Sequence, residues 1–178
     1  MMEQTMSPTI TLCHEPPDKD RMNALLGEYY DLMIQRIVDM GGKDPSGDGD
    51  AIEEFWQEID CFMPPKGRLY VARTEDGTFV GCGSLKVMDQ TRGELKRLFV
   101  KPSMRGTGLG RALVQLRIDA AREMGLTELY VDTVRANVEM RGLYAKLGFE
   151  EISGYDGCAT AKLLPELLPY LTFYRITL

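Results

Sequence analysis

Histidine is almost missing from this chain: His14 stands alone, and Cys13, Cys61, Cys82 and Cys158 are widely spaced with no CxxC pair. That speaks against a histidine- or cysteine-built metal cluster, so no metal is expected and the four thiols are expected to be reduced and mostly buried. No apolar run approaches the roughly 18 to 20 residues of a membrane span. The opening stretch MMEQTMSPTITLCHEPPD has no basic region followed by an apolar one, so the expectation is a cytoplasmic protein with no membrane partner. Positive charge is also short. Lys and Arg number 21 against 27 Asp and Glu, a net charge of -6, whereas nucleic-acid binders carry basic faces. The acid excess suits a cationic or amine-bearing small molecule better. Apolar residues are not lacking: at 44%, with 27% charged residues over 178 positions, the composition is that of a globular chain long enough to bury a core.

Thr9 to Cys13 alternates β-branched and apolar residues and stops at Pro16-Pro17, as a first strand would. Asp18 stands where a helix cap belongs, and Met22, Leu26, Tyr29, Met33, Ile37 and Met40 recur at steps of three or four up to Gly41-Gly42, one apolar helix face. Lys43 to Asp50 is a polar loop and candidate mobile lip, after which Asp50 caps a second expected helix, Ala51 to Phe62. Arg68–Arg73, Thr78–Met88 and Glu94–Val100, separated by Glu75-Asp76-Gly77 and by Gln90–Gly93, form an antiparallel meander. Arg105 to Gly125 is an expected helix, Leu129 to Val134 an expected strand, and the strand, helix, strand order predicts parallel pairing across a right-handed crossover. A short helix over Asn137–Leu147 and closing strands over Phe149–Ser153 and Thr172–Thr177 complete the reading. No internal repeat is present, and one domain over residues 1–178 is expected.

The stretch ELKRLFVKPSMRGTGLGRALVQL, Glu94 to Leu116, carries the most chemistry. Gly106, Gly108 and Gly110 strip side chains from a helix start, leaving free backbone N–H groups to meet a pyrophosphate with the helix dipole behind them. Arg105 and Arg111 bracket the turn and can add charge. A GxxxxGK[ST] loop is excluded because Arg111-Ala112 follows Gly110, and a GxGxxG fingerprint fails because Arg111 falls where the third glycine belongs.

The basic residue, two positions, Gly, one position, Gly spacing is similar to the pyrophosphate signature of the GNAT (GCN5-related) N-acetyltransferases. A second segment, NVEMRGLYAKLGFEE, in which Tyr144 follows Asn137 by seven positions, resembles the part of that family that lines the coenzyme A arm. The resemblance implies an α/β (α+β) fold: a central mixed, mostly antiparallel sheet with splayed middle strands and flanking helices. It implies acetyl-CoA as co-substrate, with Arg105, Gly106, Thr107, Gly108, Leu109, Gly110 and Arg111 at the phosphates and Leu98, Phe99 and Val100 bonding the pantetheine through their backbone. Asn137 and Tyr144 lie along the same arm. A backbone N–H on the splayed strand can also hold the oxyanion, a donor whose loss typically costs about 3 to 4 kcal/mol.

An alkyl amine, with a pKa near 10.4, is protonated at neutral pH, so the reaction needs a base and then an acid for the thiolate. By position in the family Glu94 is the favoured base, Asp132 the alternative, no carboxylate base at all a third reading, and Tyr144 the leading acid. Each has a bland counterpart: Glu94 as a solvated strand-end charge, Asn137 as a helix cap, Tyr144 as core packing. The expected reaction is direct attack in a ternary complex. The acceptor is expected to be a small amine in a pocket formed by the first two helices, Lys43–Asp50 and Ser153–Ala161, with Asp44, Asp48, Asp50 and Asp156 drawing it in. A peptide acceptor, a non-catalytic acyl-CoA sensor and a homodimer are the alternatives left open.

Overall fold

The computed structural model describes residues 7–47 and 50–178. Seven strands form one sheet in the order β1-β2-β3-β4-β5-β7-β6. They are β1 (Thr9–Leu12), β2 (Gly67–Arg73), β3 (Phe79–Val87), β4 (Arg92–Val100), β5 (Glu128–Val134), β6 (Glu150–Ile152) and β7 (Leu171–Thr177). Every pairing is antiparallel except β4 with β5. Helices α1 (Lys19–Asp39) and α2 (Ala51–Gln57) cover one face, and α3 (Leu109–Glu123) and α4 (Val138–Lys146) the other. The pleat explains the sandwich: Leu69 and Val71 of β2 pack with Met22, Leu25, Leu26 and Phe55, while Tyr70 and Ala72 pack with Leu113, Val114 and Ala121. A third cluster joins Met33 and Ile37 of α1 to Val134, Phe173 and Cys158.

Local chemistry sets the helix ends. Arg21 N donates to the Asp18 carboxylate at 2.9 Å, and Ile52 N and Glu53 N donate to Asp50 at 3.0 and 3.1 Å, so both expected caps are in place. Two helices are shorter than their sequence spacing predicts. The second gives way after Gln57 to a 3-10 turn over Ile59–Phe62. The third begins at Leu109 because Arg105 to Gly108 form turns and Gly108 adopts φ 87, a left-handed conformation suited to glycine. A short helix α5 (Ala159–Leu163), unforeseen in the sequence, fills part of the stretch before β7.

The site is positioned by how β4 and β5 part. Their parallel pairing runs from Arg92↔Glu128 to Leu95↔Val131 and stops. Beyond it β4 stays with β3 through Phe99↔Cys82 and Val100↔Gly81, and β5 stays with β7 through Asp132↔Phe173 to Val134↔Leu171. A bulge lies between, where the β3–β4 register shifts and Arg97 takes φ 52. The bulged carbonyls are satisfied from inside: Lys96 O accepts from Ser84 Oγ at 3.1 Å and Arg117 Nη1 at 3.4 Å, and Arg97 O accepts from Cys82 Sγ at 3.2 Å.

Candidate active site

Glu94 lies on the paired part of β4 and is 1% exposed, so it is not a solvated strand-end charge. Its Oε1 accepts from the Tyr155 hydroxyl at 2.8 Å and from Ala159 N at 3.4 Å, and Lys96 Nζ stands 3.7 Å away. Asp132, just past the end of β4–β5 pairing, has its Oδ1 3.4 Å from the same hydroxyl. The two carboxylates that sequence reasoning set in competition are thus brought together by one tyrosine. Burial, then the charges of Asp132 and Glu94, push the Tyr155 hydroxyl far above its ordinary range, so it stays protonated and acts as donor. Carboxylate oxygens of Glu94 and Asp132 and the Cys158 sulfur all lie within 4.8 Å of one another. Burial and the neighbouring Asp132 raise the Cys158 thiol, away from the thiolate that an acyl carrier requires.

Beside this cluster opens a cavity of about 530 Å³, within the usual range for a small-molecule site. Its walls come from α1 (Tyr29, Tyr30, Met33, Ile37), the Pro45–Ser46 turn with Asp50, α2, β4 (Lys96, Arg97), β5 (Asp132, Thr133, Val134) and α5 (Ala159, Thr160, Leu163). Asp132 lines it and Glu94 lies behind. Of the loop acids expected to attract an amine, Asp50 reaches the cavity but spends its carboxylate on the α2 cap. Asp44 bonds Ser46 N at 2.8 Å and Asp156 is exposed outside the cavity wall. Asp48 lies outside the described residues.

The other side of the splay carries the glycine turn. Arg105, Gly106, Thr107, Gly108 and Arg111 are exposed, Leu109 is buried, and a Cβ at Gly106 or Gly108 would meet nothing within 4 Å. The first α3 bond is Ala112 N to Gly108 O at 3.0 Å, which leaves the N–H groups of Leu109, Gly110 and Arg111 without helical partners at the positive end of the dipole. Thr107 spends its hydroxyl on Met104 O at 2.7 Å. Past Leu95 the backbone edge of β4 that faces β5 has no strand partner among the described residues, so Leu98, Phe99 and Val100 can offer backbone groups to a ligand running from the turn to the carboxylates.

The family model described as "Acetyltransferase (GNAT) family" matches residues 33–149. An "IAA acetyltransferase" of Azospirillum brasilense is 31% identical over 152 residues, 81% of this chain and 86% of that one. The chain belongs to the GNAT acetyltransferase family. As a GNAT protein it is an acetyl-CoA-dependent N-acetyltransferase. Its fold matches an acetyltransferase from Streptococcus agalactiae with TM-score 0.70 and 20% identity over 95% of this chain and 98% of that one. It also matches a GNAT acetyltransferase from Elizabethkingia anophelis with acetyl-CoA bound, TM-score 0.62 and 20% identity over 97% and 99%. The residues present fit such a co-substrate: a GNAT pyrophosphate needs bare N–H groups and no Cβ in the way, and the Gly106–Arg111 turn has both.

The two residues of the second GNAT motif, Asn137 and Tyr144, are both buried. Asn137 does not cap α4 with its side chain. Its Oδ1 accepts from Arg36 Nη1 at 2.5 Å and its Nδ2 donates to Thr133 Oγ1 at 3.1 Å, tying α1 to the β5–α4 turn. Tyr144 is 2% exposed, against Phe149 and Tyr174 in the core rather than on the cavity wall. Burial pushes its hydroxyl up to about 12, against the opposing pull of the buried Arg117 guanidinium. Sequence reasoning did not single out Tyr155, Arg97 or Arg117. A tyrosine outside both motifs, and two arginines indistinguishable from solvated ones, gave no periodic signal.

Proposed function

We propose that this acetyltransferase modifies the amine of a small molecule held in the cavity, in a ternary complex, with Asp132 taking the amine proton. The observation that carries this is the Tyr155 hydroxyl joining Glu94 and Asp132 at the wall of the cavity. Acetyl-CoA supplies the acetyl group as a thioester: a C–N bond forms at the carbonyl carbon, the C–S bond breaks, and of the two protons that an ammonium nitrogen loses, one ends on the thiolate and the other passes to the base and on to solvent. Two carboxylates so near one another attract the ammonium of the incoming amine, and one must then accept its proton. Asp132 is favoured over Glu94 because it faces the cavity, whereas Glu94 is sealed behind it and loaded with three donors. Glu94 then holds the Tyr155 proton away from Asp132, leaving the Asp132 oxygen free for the amine.

Tyr144 suits hydrogen bonding to the departing sulfur better than full protonation of it. A hydroxyl at about 12 giving its proton to a thiolate of ordinary pKa 8.5 runs uphill by about 5 kcal/mol. Walls from α1, α2, β4, β5 and α5 make a pocket rather than a groove, which favours a small acceptor over a peptide.

Free thiol release from acetyl-CoA, followed across panels of small amines and peptides, tests the acceptor class: peptides turned over better than every small amine would reverse it. Asp132→Asn should lower kcat by about 10²- to 10⁴-fold, more than Glu94→Gln. The opposite order would return the proton to Glu94.

A further inference from the structure

Resting on that N-acetylation reading, we propose that the acceptor carries a carboxylate as well as its amine, as an α-amino acid does, and that Arg97 binds the carboxylate. Arg97 is the one non-glycine residue with positive φ among the described residues, at 52°, a conformation that costs about 1 to 3 kcal/mol and persists where surrounding structure enforces it. Here Ser84, Arg117 and Cys82 enforce it through the bulged carbonyls. Arg97 lines the same cavity as Asp132.

The Arg97 guanidinium is short of partners. Its carbon lies 5.3 and 5.1 Å from the ring centres of Phe55 and Phe62, and its Nε donates to the Tyr30 hydroxyl at 3.0 Å. Its Nη1 is buried with no hydrogen-bond acceptor among the described residues. Among the described residues no carboxylate lies within ion-pair distance of it. Glu58, whose charge acts on it, is committed to Lys86 at 2.8 Å. A buried cation with an open N–H is unfavourable unless something else supplies the anion. A planar guanidinium matches a carboxylate.

The cofactor has other cations. Its phosphates are served by the Arg105–Arg111 turn at the start of α3, while Arg97 is gripped from α1 and α2, the acceptor's side. Lys96, the other cation on this wall, is taken up with Glu94. The cavity therefore offers two unlike contacts. Asp132, backed by Glu94 and Tyr155 from the α5 side, receives the ammonium, and Arg97 receives the carboxylate.

The test uses the full chain at saturating acetyl-CoA and reads thiol release for matched sets: each amino acid, its amide, and the amine lacking the carboxyl group. For the amino acid that is accepted best, losing the carboxylate should lower kcat/KM by about 100-fold or more. Arg97→Met should erase the difference between acid and amide, Arg97→Lys should keep part of it, and the KM for acetyl-CoA should move far less in either. Amides or simple amines used as well as the acids by the unaltered protein would overturn the carboxylate proposal and leave small-amine acetylation standing. Release with no small amine of any kind would overturn both. The substrate sets decide the matter even if Arg97→Met fails to fold.

Discussion

Gly83→Ala is a one-carbon change that should loosen the bulge from beneath. A Cβ at Gly83 would stand 2.9 Å from both Cζ and Nε of Arg117, well inside van der Waals contact. In an exposed arginine the guanidinium would swing aside. Arg117 is completely buried, with Nε bonded to Leu113 O at 3.0 Å and Nη1 to Ser84 O at 3.1 Å and Lys96 O at 3.4 Å. Retreat by half an ångström or more breaks the longer two of these. Net values of about 1.5 to 3 kcal/mol for each bond from a charged donor, less some relaxation, give a loss of about 3 to 5 kcal/mol. For a chain of this length each kcal/mol lowers Tm by about 2 to 4 °C, so calorimetry or thermal circular dichroism should record a fall of roughly 6 to 20 °C. The decisive comparison is Gly83→Ala in an Arg117→Met background, where the flexible thioether can yield. There the added methyl should cost about 1 kcal/mol or less. If the full loss persists without the guanidinium, the clash is not its cause and the account of the bulge is wrong.

Three more outcomes follow from the same geometry. Tyr144→Phe should lower kcat by roughly 10- to 100-fold with little change in acetyl-CoA affinity, read by steady-state kinetics with titration calorimetry; equal effects on both would contradict a role at the departing sulfur. Gly108→Val places a β-branched residue at φ 87, so coenzyme A binding should weaken at least about 10-fold with the fold retained, and unchanged affinity would remove the turn from the phosphate site. Asp89 accepts from Thr91 N, Arg92 N and Arg92 Nε, and these contacts hold its carboxyl at about 2, below the ordinary 3.8. A depressed folded-state value means its stabilisation is present above about pH 4 and lost as pH falls through about 2, so the advantage of the unaltered protein over Asp89→Asn in denaturant melts should shrink toward pH 2.

The legible parts of the chain were those in which neighbouring residues decide the outcome. Helix caps at Asp18 and Asp50, the apolar face of α1 and the three-stranded meander are local or periodic properties, and all stand in the structure. The ends of α2 and α3 shifted because a 3-10 turn and a left-handed glycine compete with helix within a few residues, a contest spacing does not resolve. Helix α5 was not foreseen because it has five residues, too few to show a period.

Along the chain, Glu94, Asp132 and Tyr155 are far apart, and Arg97 and Arg117 look like any surface arginines. By itself the sequence determined the glycine turn and the parallel crossover, since an N–H-lined helix start needs only consecutive residues. Only the tertiary structure decided that the two carboxylates share one tyrosine and that Arg97 is buried without an anion. Those facts depend on where a strand bulge, α1, α2 and the α5 segment meet in space, and burial, which makes a lone charge costly, is a property of that meeting.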